Sequence, residues 1–159
     1  MNTKSLKTLE YNKIIAQLET YASSPLGRDL CRNLVPSIDV HEIRQMQKET
    51  SDALTRVRQK GSISFTGLKD VGGSLKRLEI GSSLSIMELL SVSGLLTCAA
   101  RAKNYGRHPE NTELPDDSLD EMFRTLEPLT NVNSEITRCI LGEDEIADDA
   151  SPGLHHVRR

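Results

Sequence analysis

"LSIMELLSVSGLLTCAARAKNYG", residues 84–106, decides the fold. Ser85 and Glu88 stand at capping-box spacing, which marks a helix start. Ile86, Leu89, Leu90, Val92, Leu95, Leu96, Cys98 and Ala99 then follow so densely that the segment is apolar nearly all round until Arg101. A helix with no polar face belongs inside other helices, so this one is expected to be central and the most buried. Its length and its Ser and Gly interruptions keep it a core helix rather than a membrane span.

The flanking sequence supplies the shell. Tyr11, Ile14, Ile15, Leu18, Tyr21 and Ala22 recur at helical spacing, and Leu6 and Leu9 form a short turn before them. In "SSPLGRDLCRNLVP", Ser24 can cap, Pro25 fits a first helical turn and Pro36 ends the segment. "DVHEIRQMQKETSDALTRVRQKG" places Ile43, Met46, Ala53, Leu54 and Val57 on one stripe, with Glu42, Arg44, Lys48, Glu49, Arg56 and Arg58 mostly elsewhere on the surface. Asp39 and Glu42 have capping-box spacing, and Gly61 closes the helix. Residues 62–70 read as an extended connection. A short helix with Val71, Leu75 and Leu78 inward follows it. Beyond the polar, loop-like stretch 104–117, short helices start at Ser118 (Leu119, Met122, Phe123 and Leu126 inward) and after Pro128 (Val132, Ile136, Cys139 and Ile140 inward). "GEDEIADDASP" reads as an acidic turn or a small hairpin around Gly142, and Ser151-Pro152 opens a last helix.

Composition agrees. Three Tyr, two Phe and no Trp leave the core to Leu, Ile, Val, Met and Ala, which favours helices over sheet. The fold class is therefore all-α, an irregular bundle of about seven helices, with residues 1–150 as a helical core domain and 151–159 as the first turns of a further helix. A net charge of −3 argues against a free-standing, strongly basic nucleic-acid binder. The start "MNTKSLKTLEYNK" lacks the apolar stretch of a signal peptide, and no membrane span is found, so a cytoplasmic protein is expected. Cys31, Cys98 and Cys139 are widely spaced and read as small buried hydrophobes.

Chemistry is sparse. The phosphate loop G-x-x-x-x-G-K-[ST] is absent, and Gly72 and Gly73 read as helix-entry residues. His155 and His156 point about 100° apart on a helix and make a poor metal pair. His41 and His108 have no visible partner set, and the acids at 143–149 read as a solvated turn. Arg101, Lys103 and Arg107 trail the central helix, either touching phosphates or complementing the helix C-terminus. No catalytic residue, metal ligand or cofactor site is expected.

Three stretches carry a resemblance when taken together: "LKTLEYNKIIAQLETYASSPLGRDL" (6–30), "GLKDVGGSLKRLEIGSSLSIMELL" (67–90) and "ITRCILGEDEIADDASPGLHHVRR" (136–159). In this order they resemble the opening of the bacterial MutS-like proteins that carry a C-terminal Smr domain, the branch concerned with recombination suppression and ribosome rescue. The resemblance implies an excised N-terminal part of the MutS helical core, ending where a long lever helix begins. It implies a parent several times longer, with lever, clamp, a dimeric ATPase using ATP and Mg, and an Smr nuclease module. The parent would be an endonuclease binding branched DNA, stalled or collided ribosomes, or both. The ATP-binding and nuclease residues would lie in later parts. This region would act without catalysis, with the rest of that chain as its partner and no membrane contact. A different-class alternative is a stand-alone helical adaptor that binds a partner protein through an amphipathic groove.

Overall fold

The computed structural model describes residues 3–108 and 117–158. Among these are nine helices and one two-stranded hairpin: α1 (Thr3–Thr8), α2 (Tyr11–Tyr21), α3 (Pro25–Arg32), α4 (Val40–Lys60), α5 (Gly72–Glu79), α6 (Ile86–Gly106), α7 (Asp120–Arg124), α8 (Thr130–Cys139), β1 (Ile140–Gly142), β2 (Glu145–Ile146) and α9 (Pro152–Val157). The protein is all-α in character as the periodicity predicts, and the described residues hold nine helices against the predicted seven or so. The strands pair antiparallel with Ile140 opposite Ile146 and Gly142 opposite Glu145, so the acidic stretch is a hairpin. Residues 61–71 carry no strand.

The helix signals are largely the ones the sequence shows. Ser85 N donates to Glu88 Oε2 at 2.9 Å and Glu88 N to Ser85 Oγ at 3.3 Å, a reciprocal capping box. Ser24 Oγ accepts from Gly27 N at 3.1 Å, and Ser151 Oγ from Leu154 N at 3.2 Å, each ahead of a first-turn Pro. Gly61 closes α4 at φ 76°, which suits glycine. Two starts differ. Asp39 caps alone, accepting from His41 N at 2.8 Å, because Glu42 is drawn to the Ser37 hydroxyl. Ser118 does not cap: its hydroxyl donates to Asp52 Oδ2 at 2.6 Å, and α7 begins two residues later. Of the polar stretch 104–117, residues 104–106 belong to α6, and residues 109–116 lie outside the described residues.

The chain forms two compact units, 1–66 with 102–126 and 67–101 with 127–159. In the second, the buried apolar residues are Val71, Leu96, Cys98, Ile140 and Ala147. Ser93 Oγ donates to Asn133 Oδ1 at 2.7 Å, and Asn133 Nδ2 to Thr97 Oγ1 at 3.1 Å, tying α6 to α8 through polar groups. A Cβ on Gly94 would meet Gly67 O at 2.8 Å, so this glycine lets a backbone segment lie against α6. The Ser and Gly interruptions of α6 are thus contact points of the helix. Met122 and Val132, expected inward, are 52% and 48% exposed. α7 and α8 are short: the buried residue of α7 is Asp120, and Asn133 of α8 is half-buried against Ser93.

In the first unit, Tyr11 Oη donates to Leu34 O at 3.1 Å, and Arg32 pairs with Glu19, holding α2 to α3 and the chain after it. The apolar stripes of α2 and α4 stay open: Ile14, Leu18, Tyr21, Leu54 and Val57 are all exposed.

Candidate functional site: a cationic cleft backed by a buried arginine

α4 turns a polar face inward. Asp52, Arg56 and Lys60 recur at i, i+4, i+8, and all three grip the chain between Tyr105 and Asp120. Sequence reading puts Arg56 on the surface; it is 4% exposed. Its Nε and Nη2 donate to Asp117 at 2.5 and 2.7 Å, Nη2 also reaches Asp120 at 2.6 Å, and Nη1 reaches Gly106 O at 3.3 Å. The correction has a plain cause: a guanidinium fork met by two carboxylates and a carbonyl is satisfied well enough to be buried, whereas helical periodicity scores it only as polar.

Around it the fit is close. The Arg56 guanidinium lies 5.0 Å from the Phe123 ring centroid, and Tyr105 and Phe123 pack at 5.9 Å with planes inclined at 59°. Gly106 makes this possible, since a Cβ there would come within 2.2 Å of Phe123 Cβ. Lys60 Nζ donates to Tyr105 O at 3.1 Å and Arg107 O at 2.7 Å, so the cation at the C-terminus of α6 comes from α4. Asp52 accepts from Ser118 N at 2.9 Å and from Lys48 Nζ at 2.7 Å.

The charges follow from these contacts. Hydrogen bonds from Lys48 and then Ser118 hold the Asp52 carboxyl well below the usual carboxylate range. The Arg56 guanidinium lowers Asp117 against the opposing effect of burial. Burial pushes Asp120 up, but donation from Arg56, the Asp117 N–H and His108 outweighs it, and the carboxyl ends below its ordinary value.

Lys103 and Arg107 at the end of α6, Arg124 of α7, and His108, Asp120 and Phe123 line one cleft of about 260 Å³. Lys103 Nζ also donates to Leu126 O at 2.8 Å, and Arg124 pairs with Glu121 at 2.9 Å. Sequence reading gives His108 no carboxylate partner; in the structure its Nε2 lies 2.9 and 3.0 Å from the two Asp120 oxygens, and its Nδ1 is buried with no hydrogen-bond partner. The residues between His108 and Asp120 hide this pair from a spacing argument. Of the three suggested phosphate contacts, Lys103 and Arg107 share the cleft, while Arg101 belongs to the other unit. Sequence reading singles out His108 without its partner and passes over Arg124, although Arg124 stands beside Phe123.

Among the described residues no group of three or more His, Cys, Asp or Glu is placed to hold a metal ion, and no helix is long and apolar enough to cross a membrane. Of the acids at 143–149, Asp148 accepts from Arg158 Nη1 at 2.7 Å, and the backbone carbonyl of Asp149 accepts from Arg138 Nη1 at 2.9 Å. Cys98 is buried, and Cys31 and Cys139 are half-buried thiols.

Fold and site together define a helical region that clamps its own chain with buried charge and gathers cations at one cleft. No protein-family model matches the chain. Over its whole length it is homologous to the N-terminal 20% or so of the MutS2 endonucleases, proteins of the MutS family. It is 53% identical over 163 residues to endonuclease MutS2 of Lachnoclostridium phytofermentans, 46% over 159 residues to that of Agathobacter rectalis and 40% over 159 residues to that of Acetivibrio thermocellus. Each match covers 100% of this chain and 20% of the relative, so the chain spans about one fifth of the length of the curated proteins it matches.

Proposed function

We propose that this chain is the non-catalytic helical N-terminal region of an ATP-driven endonuclease of the MutS2 kind, acting on branched DNA, on stalled ribosomes, or on both. In that protein, a homodimer, it would stand near the base of the lever arms and help relay ATPase motion to a clamp. ATP and Mg would bind in later parts of the chain, as would the nuclease residues. The observation that carries the reading is identity of 53% sustained over 100% of this chain. The missing G-x-x-x-x-G-K-[ST] loop supports a role without nucleotide chemistry here.

The test compares two proteins. The full-length protein should hydrolyse ATP and cut branched DNA, and the 159-residue chain should do neither. Leu96→Asp in the full-length protein, which puts a charge at a buried α6 position, should abolish stimulation of ATP hydrolysis by nucleic acid. ATP turnover by the isolated chain, or stimulation untouched by Leu96→Asp, would overturn the assignment.

One observation favours the adaptor as a second reading. Tyr11, Leu34, Val35, Ile43 and Met46 line an apolar groove of about 460 Å³ in the first unit, of a kind that accepts an amphipathic helix. An adaptor would act as a free-standing 159-residue protein, so a stop codon after Arg159 in the gene would decide for it.

A further inference from the structure

We propose that one exposed face of α4, the row Arg44, Lys48, Ser51, Thr55 and Arg58, is a contact surface for the phosphate backbone of a nucleic acid. At about 100° per residue these five side chains fall within about 80° of one another around the helix. All five are exposed. The row lies between the inward polar face of Asp52, Arg56 and Lys60 and the apolar stripe of Leu54 and Val57. From Arg44 to Arg58 it runs about 21 Å, at a rise of about 1.5 Å per residue, which is the axial length of about six phosphates on one strand of B-DNA.

Charge is sorted around this helix. Its acids lie off the row, and each is engaged by the protein: Glu42 by the Ser37 hydroxyl, Glu49 by Gln45 Nε2 at 2.8 Å, and Asp52 by Ser118 N at 2.9 Å, the Ser118 hydroxyl at 2.6 Å and Lys48 Nζ at 2.7 Å. Arg44 and Arg58, in contrast, have no side-chain hydrogen bond or ion pair among the described residues. Each therefore keeps five N–H donors for a ligand, and Lys48 keeps two of its three. Ser51 adds an unbonded hydroxyl, while Thr55 gives its proton to Ser51 O at 3.0 Å and is a neutral spacer. On a chain of net charge −3, the cations that α4 turns outward all stand in this one row.

The composition of the row selects the partner. A protein partner is met by an apolar centre inside a polar rim, whereas nucleic-acid interfaces are polar and positively charged. The row holds no apolar side chain, and no carboxylate stands in it to repel a phosphate. Guanidinium and ammonium groups and the Ser51 hydroxyl all donate to phosphate oxygens, and such contacts carry no base preference. The inference goes beyond the reading above, which assigns nucleic-acid contact to no residue of this region, and it holds whether or not the parent cuts nucleic acid.

The experiment follows the fluorescence anisotropy of a labelled duplex of about 16 base pairs as the 159-residue chain is added, at salt concentrations from about 50 to 200 mM. Three phosphate contacts should make the affinity fall about fortyfold over that range. Arg44→Gln and Arg58→Gln should each reduce this fall to about twelvefold, one contact fewer, and bind more weakly at the lowest salt. Both positions are exposed on a helix that glutamine suits, and circular dichroism checks that the variants fold. Lys76→Gln, which removes an exposed cation of α5, should behave as the unsubstituted chain. A polyglutamate peptide of the same charge as the duplex is the second probe and should not displace it. No saturable binding at the lowest salt, a salt dependence left unchanged by either Arg variant, or an equal loss for Lys76→Gln would each overturn the proposal. Displacement of the duplex by polyglutamate would overturn it in favour of an acidic protein partner.

Discussion

Arg56 and Asp117 stand 61 residues apart in sequence and meet as a two-pronged ion pair, Nε to Oδ2 at 2.5 Å and Nη2 to Oδ1 at 2.7 Å. The pair fixes the chain just before α7 against the middle of α4, with Asp120 as a second acceptor. Removing the cation leaves two carboxylates facing a protein interior. Arg56→Ala should therefore cost about 3–5 kcal/mol in urea unfolding. Arg58→Ala, at an exposed position two residues on, should stay within about 0.5 kcal/mol. Equal midpoints for the two variants would show that the pair contributes nothing.

Acid should weaken this part of the protein. Asp117 and Asp120 have lower pKa values folded than unfolded, so their contribution is complete above the unfolded carboxylate value of about 4 and is lost as pH falls from there through the lower folded values. Asp117→Asn should be less stable than the native protein at pH 7, and the difference should narrow toward pH 3. Two stability curves that stay parallel from pH 7 to pH 3 would contradict this.

Gly106 and Gly73 separate close packing from helix propensity. Alanine at 106 would drive its Cβ to 2.2 Å from Phe123 Cβ, while at 73 nothing lies within 4 Å. Gly106→Ala should destabilise by about 1–3 kcal/mol through forced displacement of Phe123 and Arg56. Gly73→Ala, in the first turn of α5, should be neutral or stabilising by up to about 1 kcal/mol. Thermal midpoints that shift in the same direction for both would remove the packing argument.

Amide exchange should follow burial along the chain. Cys98 is 3% and Leu96 6% exposed, whereas Val157 in α9 is 81% exposed and that helix has only six residues. Exchange should be slow from Ser93 to Ala99 and fast from His155 to Arg158, because so short a helix has little packing to oppose fraying. Comparable protection in the two segments would show that α9 is a fully docked element.

What the sequence determined by itself was the local order. Ser85 with Glu88, Ser24 with Pro25 and Ser151 with Pro152 each form the cap that their spacing announces, since a cap depends on atoms within three or four residues. The all-α class is equally local, a consequence of apolar spacing and few aromatics. The ordered run of three stretches pointed to the MutS-like relatives, and homology to MutS2 endonucleases bears that out.

Only the tertiary structure decided which face of α4 turns inward. The apolar stripe of Leu54 and Val57 is exposed, and the buried residue is Arg56, because its partners come from beyond residue 105. The same long-range pairing took Ser118 from its cap to Asp52 and gave His108 the carboxylate of Asp120. It also sets Phe123 against Gly106, where a Cβ would come within 2.2 Å of the Phe123 Cβ. A charged side chain is scored as surface from sequence because burial alone is costly; it goes inside when distant groups supply its hydrogen bonds, and no periodicity within one helix records where those groups are.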